Sequence, residues 1–270
     1  MMKLVKEQKW GYAVLKEKVD TNAINFSHLQ MKINEVEDAQ VFTKSMFTYG
    51  MDFRAMNQVS NDFLRKVGKC YQEMLPQDSS LDLELQHRLI NTLSQYATTI
   101  PVLSGHHNKM SKETEQEMFA FEMGNYSVCD VIMIEPQRQT MEVVEHLLHH
   151  ISDVGLFYIF PNEWAFNNEN ATIVKSMNIA IDKKCFRIED YKELQEIDDE
   201  LYQRILVQEY AYWIISTYWN IQEKYGPNEK EWRIRNKKEL QEKLPLAYEL
   251  IETTVNDIIV APSDDIMSSF

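Results

Sequence analysis

Three of the seven histidines of this 270-residue chain fall within five positions, in the run Glu145-His146-Leu147-Leu148-His149-His150. Imidazole ligates transition metals and exchanges protons near neutral pH, so the spacing of such a cluster decides what chemistry it permits. On an α-helix, residues four apart share a face, which pairs Glu145 with His149 and His146 with His150. Such a pair can converge on one cation, as the H-E-x-x-H motif does on zinc. Here the glutamate and the first histidine stand in swapped order. The same helical wheel gathers Val143, Val144, Leu147, Leu148, Ile151 and Val154 on one side. Glu142, Glu145, His146, His149 and Asp153 gather on the other, with His149 near the middle. A polar stripe of this kind ordinarily faces water, and the segment alone does not distinguish a solvated face from a site.

A second feature changes the weighing. Around Glu209 the nearest positions on the wheel are Tyr202, Ile205, Leu206, Tyr212, Trp213 and Ser216, in a segment that is apolar nearly all round. Such a helix is central and buried, and a carboxylate inside it is costly unless it is paired, hydrogen-bonded or bound to a metal. Two ligands on one helix and a glutamate from a later one make the layout of zincin-type zinc hydrolases. The spacing therefore selects His149, Glu145 and Glu209 as ligands of Zn²⁺. In the alternative, Glu145 is the general base and His146 takes a ligand place. The placement of His149 on a polar face implies that His149→Ala would remove the metal and leave the fold intact. The pair His106-His107 reads as a solvated turn, with an outer-shell or substrate contact as its alternative, and the isolated His28 and His87 read as structural or exposed.

At these residues the C-terminal half, roughly 126–262, resembles a largely uncharacterised family of bacterial and eukaryotic proteins. That family's pattern runs E-E-x-x-H-x-I-T-x-x-G-Y, then Y-P, E-Y-x-Y-W and E-W-R. Here it reads Glu145-His146-Leu147-Leu148-His149-His150-Ile151-Ser152-Asp153-Val154-Gly155-Leu156, then Phe160-Pro161. Glu209-Tyr210-Ala211-Tyr212-Trp213 and Glu231-Trp232-Arg233 follow. The resemblance implies a zincin-like, metallopeptidase-like layout in which Glu145, His149 and Glu209 keep their places. His146 stands where the family has a second glutamate, so the resemblance does not carry a general base over to that place, and Glu145 and His146 are the catalytic candidates.

The elements that must position these residues read as follows. Apolar residues recur every three or four positions over 52–75, 81–96, 140–156, 171–184, 197–225 and 237–254, which predicts helices there. Ser111 with Glu113 and Glu115 opens a further one over 111–123. Gly155 reads as the close of the 140–156 helix. Strands are expected at 98–104 and, most strongly, at 126–135, where Val128, Val131, Ile132 and Ile134 precede Pro136. Shorter β-compatible pieces lie at 12–15 and 41–43. The fold class is thus α+β and predominantly helical, a small sheet packed against five to seven helices in a zincin-like arrangement. The scarcity of glycine and proline, seven of each, favours long helices with few tight turns.

Nothing divides the chain, which reads as one domain over 1–270 with a mixed N-terminal region (1–50) and the metal-site half at 126–262. A formal net charge of −14 argues against nucleic acid and anionic membrane as partners. No stretch approaches the roughly 20 uncharged residues of a membrane span. Cys70, Cys129 and Cys185 are odd in number and far apart, which with the lack of a leader-like start points to the cytoplasm. The function so implied is a zinc-dependent hydrolase, with a peptidase as one form of it, acting on a peptide or small molecule. Its rivals are a zincin-like domain without a working metal site and a structural or interaction protein using its 14 methionines and 13 tyrosines.

Overall fold

The computed structural model describes residues 18, 31–105, 110–134, 138–196, 198–226 and 230–270. His28, His106-His107 and the β-compatible piece at 12–15 lie outside these. The chain is α+β and predominantly helical, with one five-stranded sheet in sequential order. Strands β1 (Ile33–Glu35), β2 (Lys44–Thr48) and β3 (Met51–Ala55) form an antiparallel meander. The expected piece at 41–43 is not itself a strand: the amides of Gln40, Val41 and Phe42 all donate to the Glu117 carboxylate at 2.8–3.1 Å.

The helix expected over 52–75 begins later, because Met51–Ala55 is β3. Met51, Phe53 and Ala55 are buried at alternate positions, while Asp52 and Arg54 share the other face and pair. Period 2 and period 3.6 overlap in this segment, and a hairpin decides between them. Thr48 and Met51 are partners, and the two residues between them, Tyr49 and Gly50, have φ of 43° and 81°. That is the left-handed pair of a two-residue hairpin whose twist suits the strands. Helix α1 (Asn61–Met74) follows, capped by the Ser60 hydroxyl, and then α2 (Leu83–Gln95), capped by Asp82.

Strand β4 (Thr99–Leu103) runs parallel to β3 and is buried at every position, as a central strand covered on both faces requires. Helix α3 (Lys112–Met123) opens at the expected cap, Ser111. The strand expected over 126–135 is paired only at its ends. Ser127 bridges Thr98, and β5 (Ile132–Met133) pairs with Val102 and Leu103. Between those pairings the β4 side advances four residues and the other side five. One residue is therefore extra, and the stretch 128–131 bulges out of the ladder. Asp130 lies in that bulge, a device that re-aims side chains beside functional sites.

Helix α4 (Gln139–His150) passes without a break into a wide π-helical turn (Ile151–Leu156) and ends at Phe160-Pro161. Gly155 does not close it. The glycine sits inside the wide turn, where a Cβ would come within 2.2 Å of Leu89 Cδ1 on α2, so its missing side chain admits that neighbour. Helix α5 (Thr172–Asp182) precedes α6 (Asp199–Tyr218), which is capped by Asp198 and buried almost all round, as its composition required. The segment expected as one helix over 197–225 is interrupted at Asn220, φ 59°. That expected over 237–254 divides at Leu244-Pro245 into α7 (Lys237–Lys243) and α8 (Pro245–Thr254), because proline has no N–H to continue a ladder. A continuous core runs from sheet to helices, from Met46 to Met267, and a second, smaller cluster packs Met118 and Phe121 of α3 against Phe42, Leu103, Val128, Val131 and Met133. Among the described residues no helix is long and apolar enough to cross a membrane.

Candidate metal centre

Helices α4 and α6 pack against each other next to the 128–131 bulge, and all three deliver side chains to one place. Neither face of α4 is solvated: His146, His149 and His150 are buried together with the apolar face, and His149 is fully inaccessible. This decides what the segment alone left open. The polar stripe is covered by the bulge and by α6.

The three histidines have distinct partners. His150 Nδ1–H donates to the carbonyl of His146 (2.7 Å), and its Nε2 accepts from the amide of Cys129 (3.1 Å). It thereby satisfies a backbone donor that the bulge takes out of the sheet, and burial pushes its pKa down to about 3, so it stays neutral. His146 Nδ1–H donates to the Glu142 carbonyl (2.5 Å), and its Nε2 lies 3.5 Å from Asp130 Oδ2. Burial lowers its pKa, but Asp130, Glu142 and Glu145 outweigh that and push it up to about 9. Glu142 also receives the amide of Met133 at 2.8 Å, which ties α4 to β5.

His149 is different. Its Nδ1 lies 3.0 Å from Asp130 Oδ2, and the Gln208 side-chain nitrogen lies 2.9 Å from the same Nδ1 and 3.3 Å from Asp130. Burial works to raise the Asp130 carboxyl, but the His146 charge and the His149 hydrogen bond hold it well below the usual range. An ionised carboxylate only accepts, so with Nδ1 donating to Asp130 the proton of the neutral imidazole sits on Nδ1 and Nε2 keeps its lone pair. The Gln208 amide nitrogen, itself a donor, then gives its hydrogen to Asp130 and not to that ring nitrogen. That Nε2 is buried, has no hydrogen-bond partner, and lies 3.8 Å from Glu209 Oε2. Glu145, His149 and Glu209 each offer a ligand atom, all within 4.8 Å of one another. Two ligands of a tetrahedral zinc at about 2.0–2.1 Å are roughly 3.4 Å apart, so a small contraction would close the set. Asp130, His146 and His149 form a second such group.

Electrostatics mark the same point. Burial, followed by the charges of Glu145, Glu231, Asp130 and Asp153, raises Glu209 well above the carboxylate range. Burial, partly offset by His146 and reinforced by Glu142, Asp130 and Glu231, pushes Glu145 up to about 8. A lone pair facing two carboxylates needs a proton or a cation between them. One turn beyond His149, in the wide helical turn, Asp153 accepts from Arg204 Nε at 3.1 Å, and both are buried.

Comparison with protein families, with curated proteins and with solved structures finds no match. The site therefore rests on its geometry. The structure brings Glu145, His149 and Glu209 together as the sequence predicted. It places His146 beside them, facing Asp130 rather than Glu209. His87 is elsewhere, bonded to Gln77 at 2.7 Å. Sequence reasoning did not find Asp130, Gln208, Arg204 or Asp153 as partners. An aspartate inside the otherwise apolar 128–134 run was the available signal for Asp130. Arg204 and Gln208 were marked by standing four apart on a buried helix, and Asp153 by its place on the polar face of the 140–156 segment.

Proposed function

We propose that the chain is a zinc-dependent hydrolase with a zincin-like site, peptidase-like in its chemistry. The observation that carries this is the orphaned Nε2 of His149. It is buried, keeps its lone pair, is fixed in direction by Asp130, and faces two carboxylates on separate helices. One imidazole nitrogen and two carboxylates form a donor set that suits zinc, and an imidazole whose other nitrogen donates to a carboxylate is the usual outer-shell arrangement of such ligands. Zinc held there would polarise an acyl oxygen and acidify a water. The residues of the chain supply the rest. Asp130, itself receiving the Gln208 amide, keeps the ring of His149 in register, while His146, charged and bonded to Glu142, balances Asp130. If Glu145 serves instead as the general base, His146 is the nearest replacement ligand, after a turn of its ring away from Asp130.

A second reading, a non-enzymatic helical domain of zincin-like shape, is favoured by the histidine at position 146, where a base would be needed. Zinc-loaded protein should cleave members of a mixed fluorogenic peptide library, lose that activity with 1,10-phenanthroline and regain it with added zinc. Zinc bound without cleavage of any library member would sink the hydrolase reading and leave the second one.

A further inference from the structure

On the far side of the His149 ring, Asp130 gathers a second set of donor atoms. Its Oδ2 lies 3.0 Å from His149 Nδ1, 3.5 Å from His146 Nε2 and 3.3 Å from the Gln208 amide, and that amide lies 2.9 Å from the same Nδ1. These separations surround the roughly 3.4 Å between two ligands of one tetrahedral zinc. Asp130, His146 and His149 offer ligand atoms that all fall within 4.8 Å of one another. Hydrogen bonding leaves one contact unsatisfied whichever way Gln208 is turned. With its nitrogen inward, an N–H donor lies against the protonated Nδ1. With its oxygen inward, two acceptors meet beside Asp130. A cation among the four, with the amide oxygen turned toward it, relieves both contacts. The ligands are also oriented for it. His146 Nδ1–H is committed to the Glu142 carbonyl at 2.5 Å, so its Nε2 faces Asp130 with no turn of the ring. Asp130 keeps 25% of its side chain accessible, which opens this otherwise buried cluster to solvent.

We propose that the cluster is a second cation site, in which Asp130, His146 Nε2, His149 Nδ1 and the Gln208 oxygen hold a divalent ion of zinc's class. It goes beyond the hydrolase reading and needs no part of its chemistry. Where the Glu145–Glu209 set is filled as well, His149 bridges the two ions, one on each ring nitrogen. The exchange balances in charge: one dication takes the place of two protons, those on His146 and on His149 Nδ1, and both leave to water. Ions on opposite sides of a ring stand farther apart than the roughly 3.5–4 Å of a two-metal clamp, so the second does not share a substrate oxygen with the first. It ties the bulge to α4 and α6 instead. The two ions repel each other, so this site fills second, and protein purified without added zinc carries the first ion alone.

The test is equilibrium dialysis against rising zinc, read by elemental analysis. Wild-type protein should take up about two ions per chain, the second at least about tenfold more weakly. His146→Ala should keep the tight ion alone, and Glu209→Gln the weak one alone. A single ion that His146→Ala retains would overturn the second site and leave the Glu145–His149–Glu209 set standing. Two ions in both proteins would overturn it as well, since the extra one then sits elsewhere. So would a single ion lost in both variants, the mark of one set that uses both residues. A single ion lost in His146→Ala and kept in Glu209→Gln would uphold this site and overturn the other set. No ion at all would overturn both. Copper(II) in the two positions tests the bridge, because spins on one ring couple and the integrated EPR signal should fall well below that of two isolated ions. The full signal of two independent ions would overturn the sharing of His149. If His146→Ala does not fold, the copper spectrum of the wild-type protein decides.

Discussion

His149 is held by Asp130 on one ring nitrogen and left bare on the other, and both halves have measurable consequences. Replacing Asp130 with Asn removes the charge that fixes the Nδ1 proton and raises ligand basicity. Zinc affinity, read by competition with a chromophoric chelator, should fall roughly 10–100-fold with the fold retained. Unchanged affinity would mean that Asp130 does not act through His149. The sequence implied that His149→Ala would spare stability because the side chain sat on a polar face. The ring is in fact inaccessible, so its loss leaves a cavity and takes a donor from Asp130. We expect a cost of roughly 2–3 kcal/mol in urea unfolding, alongside the loss of metal. The three proposed ligands were legible because helical spacing alone brings Glu145 and His149 together and an apolar surround isolates Glu209. Asp130 was not, because its role depends on a bulge that no local periodicity encodes.

At the scale of elements, the site depends on departures from regular structure. One extra residue in 128–131 turns Asp130 toward α4, and a wide helical turn after His150 precedes Asp153, which meets Arg204. Patterns of period 2 or 3.6 predict regular elements, which explains why the 126–135 strand and the 140–156 helix were legible in outline and their irregularities were not. The 52–75 segment shows the same limit, since Phe53 and Met56 suit a helix as well as Met51, Phe53 and Ala55 suit a strand. The turn at Tyr49-Gly50 is what settled it. Gly50 carries φ 81°, and a Cβ there would sit 2.2 Å from the Ile90 carbonyl oxygen, a backbone atom that cannot move aside. Gly50→Ala should therefore cost at least roughly 2 kcal/mol, read as a lowered midpoint of chemical unfolding. A midpoint equal to that of the wild type would contradict the hairpin.

Over the whole molecule, the uneven charge of the site couples metal binding to stability. Glu145 is pushed up to about 8 and Glu209 is raised, so each contributes stability when protonated and loses it as pH rises through its folded value. His146, raised to about 9, acts in the same direction above its ordinary 6.5. His149 and His150, lowered from 6.5, act oppositely, but only below that value. From pH 6.5 to 8 the metal-free protein should therefore lose melting temperature as pH rises. Zinc should restore it, and the gain on adding zinc should grow across the same window, since metal replaces the protons. A flat profile without metal would mean that the two glutamates are not crowded as the structure has them.

The measurement that bears most directly on the central claim is the metal content of the protein purified without chelators, beside that of His149→Ala. The account predicts about one zinc per chain in the first and none in the second, because one unsatisfied imidazole nitrogen and two carboxylates define a single site. No zinc in the wild-type protein, with no change in its melting on zinc addition, would contradict it. So would zinc that persists undiminished in the His149 variant.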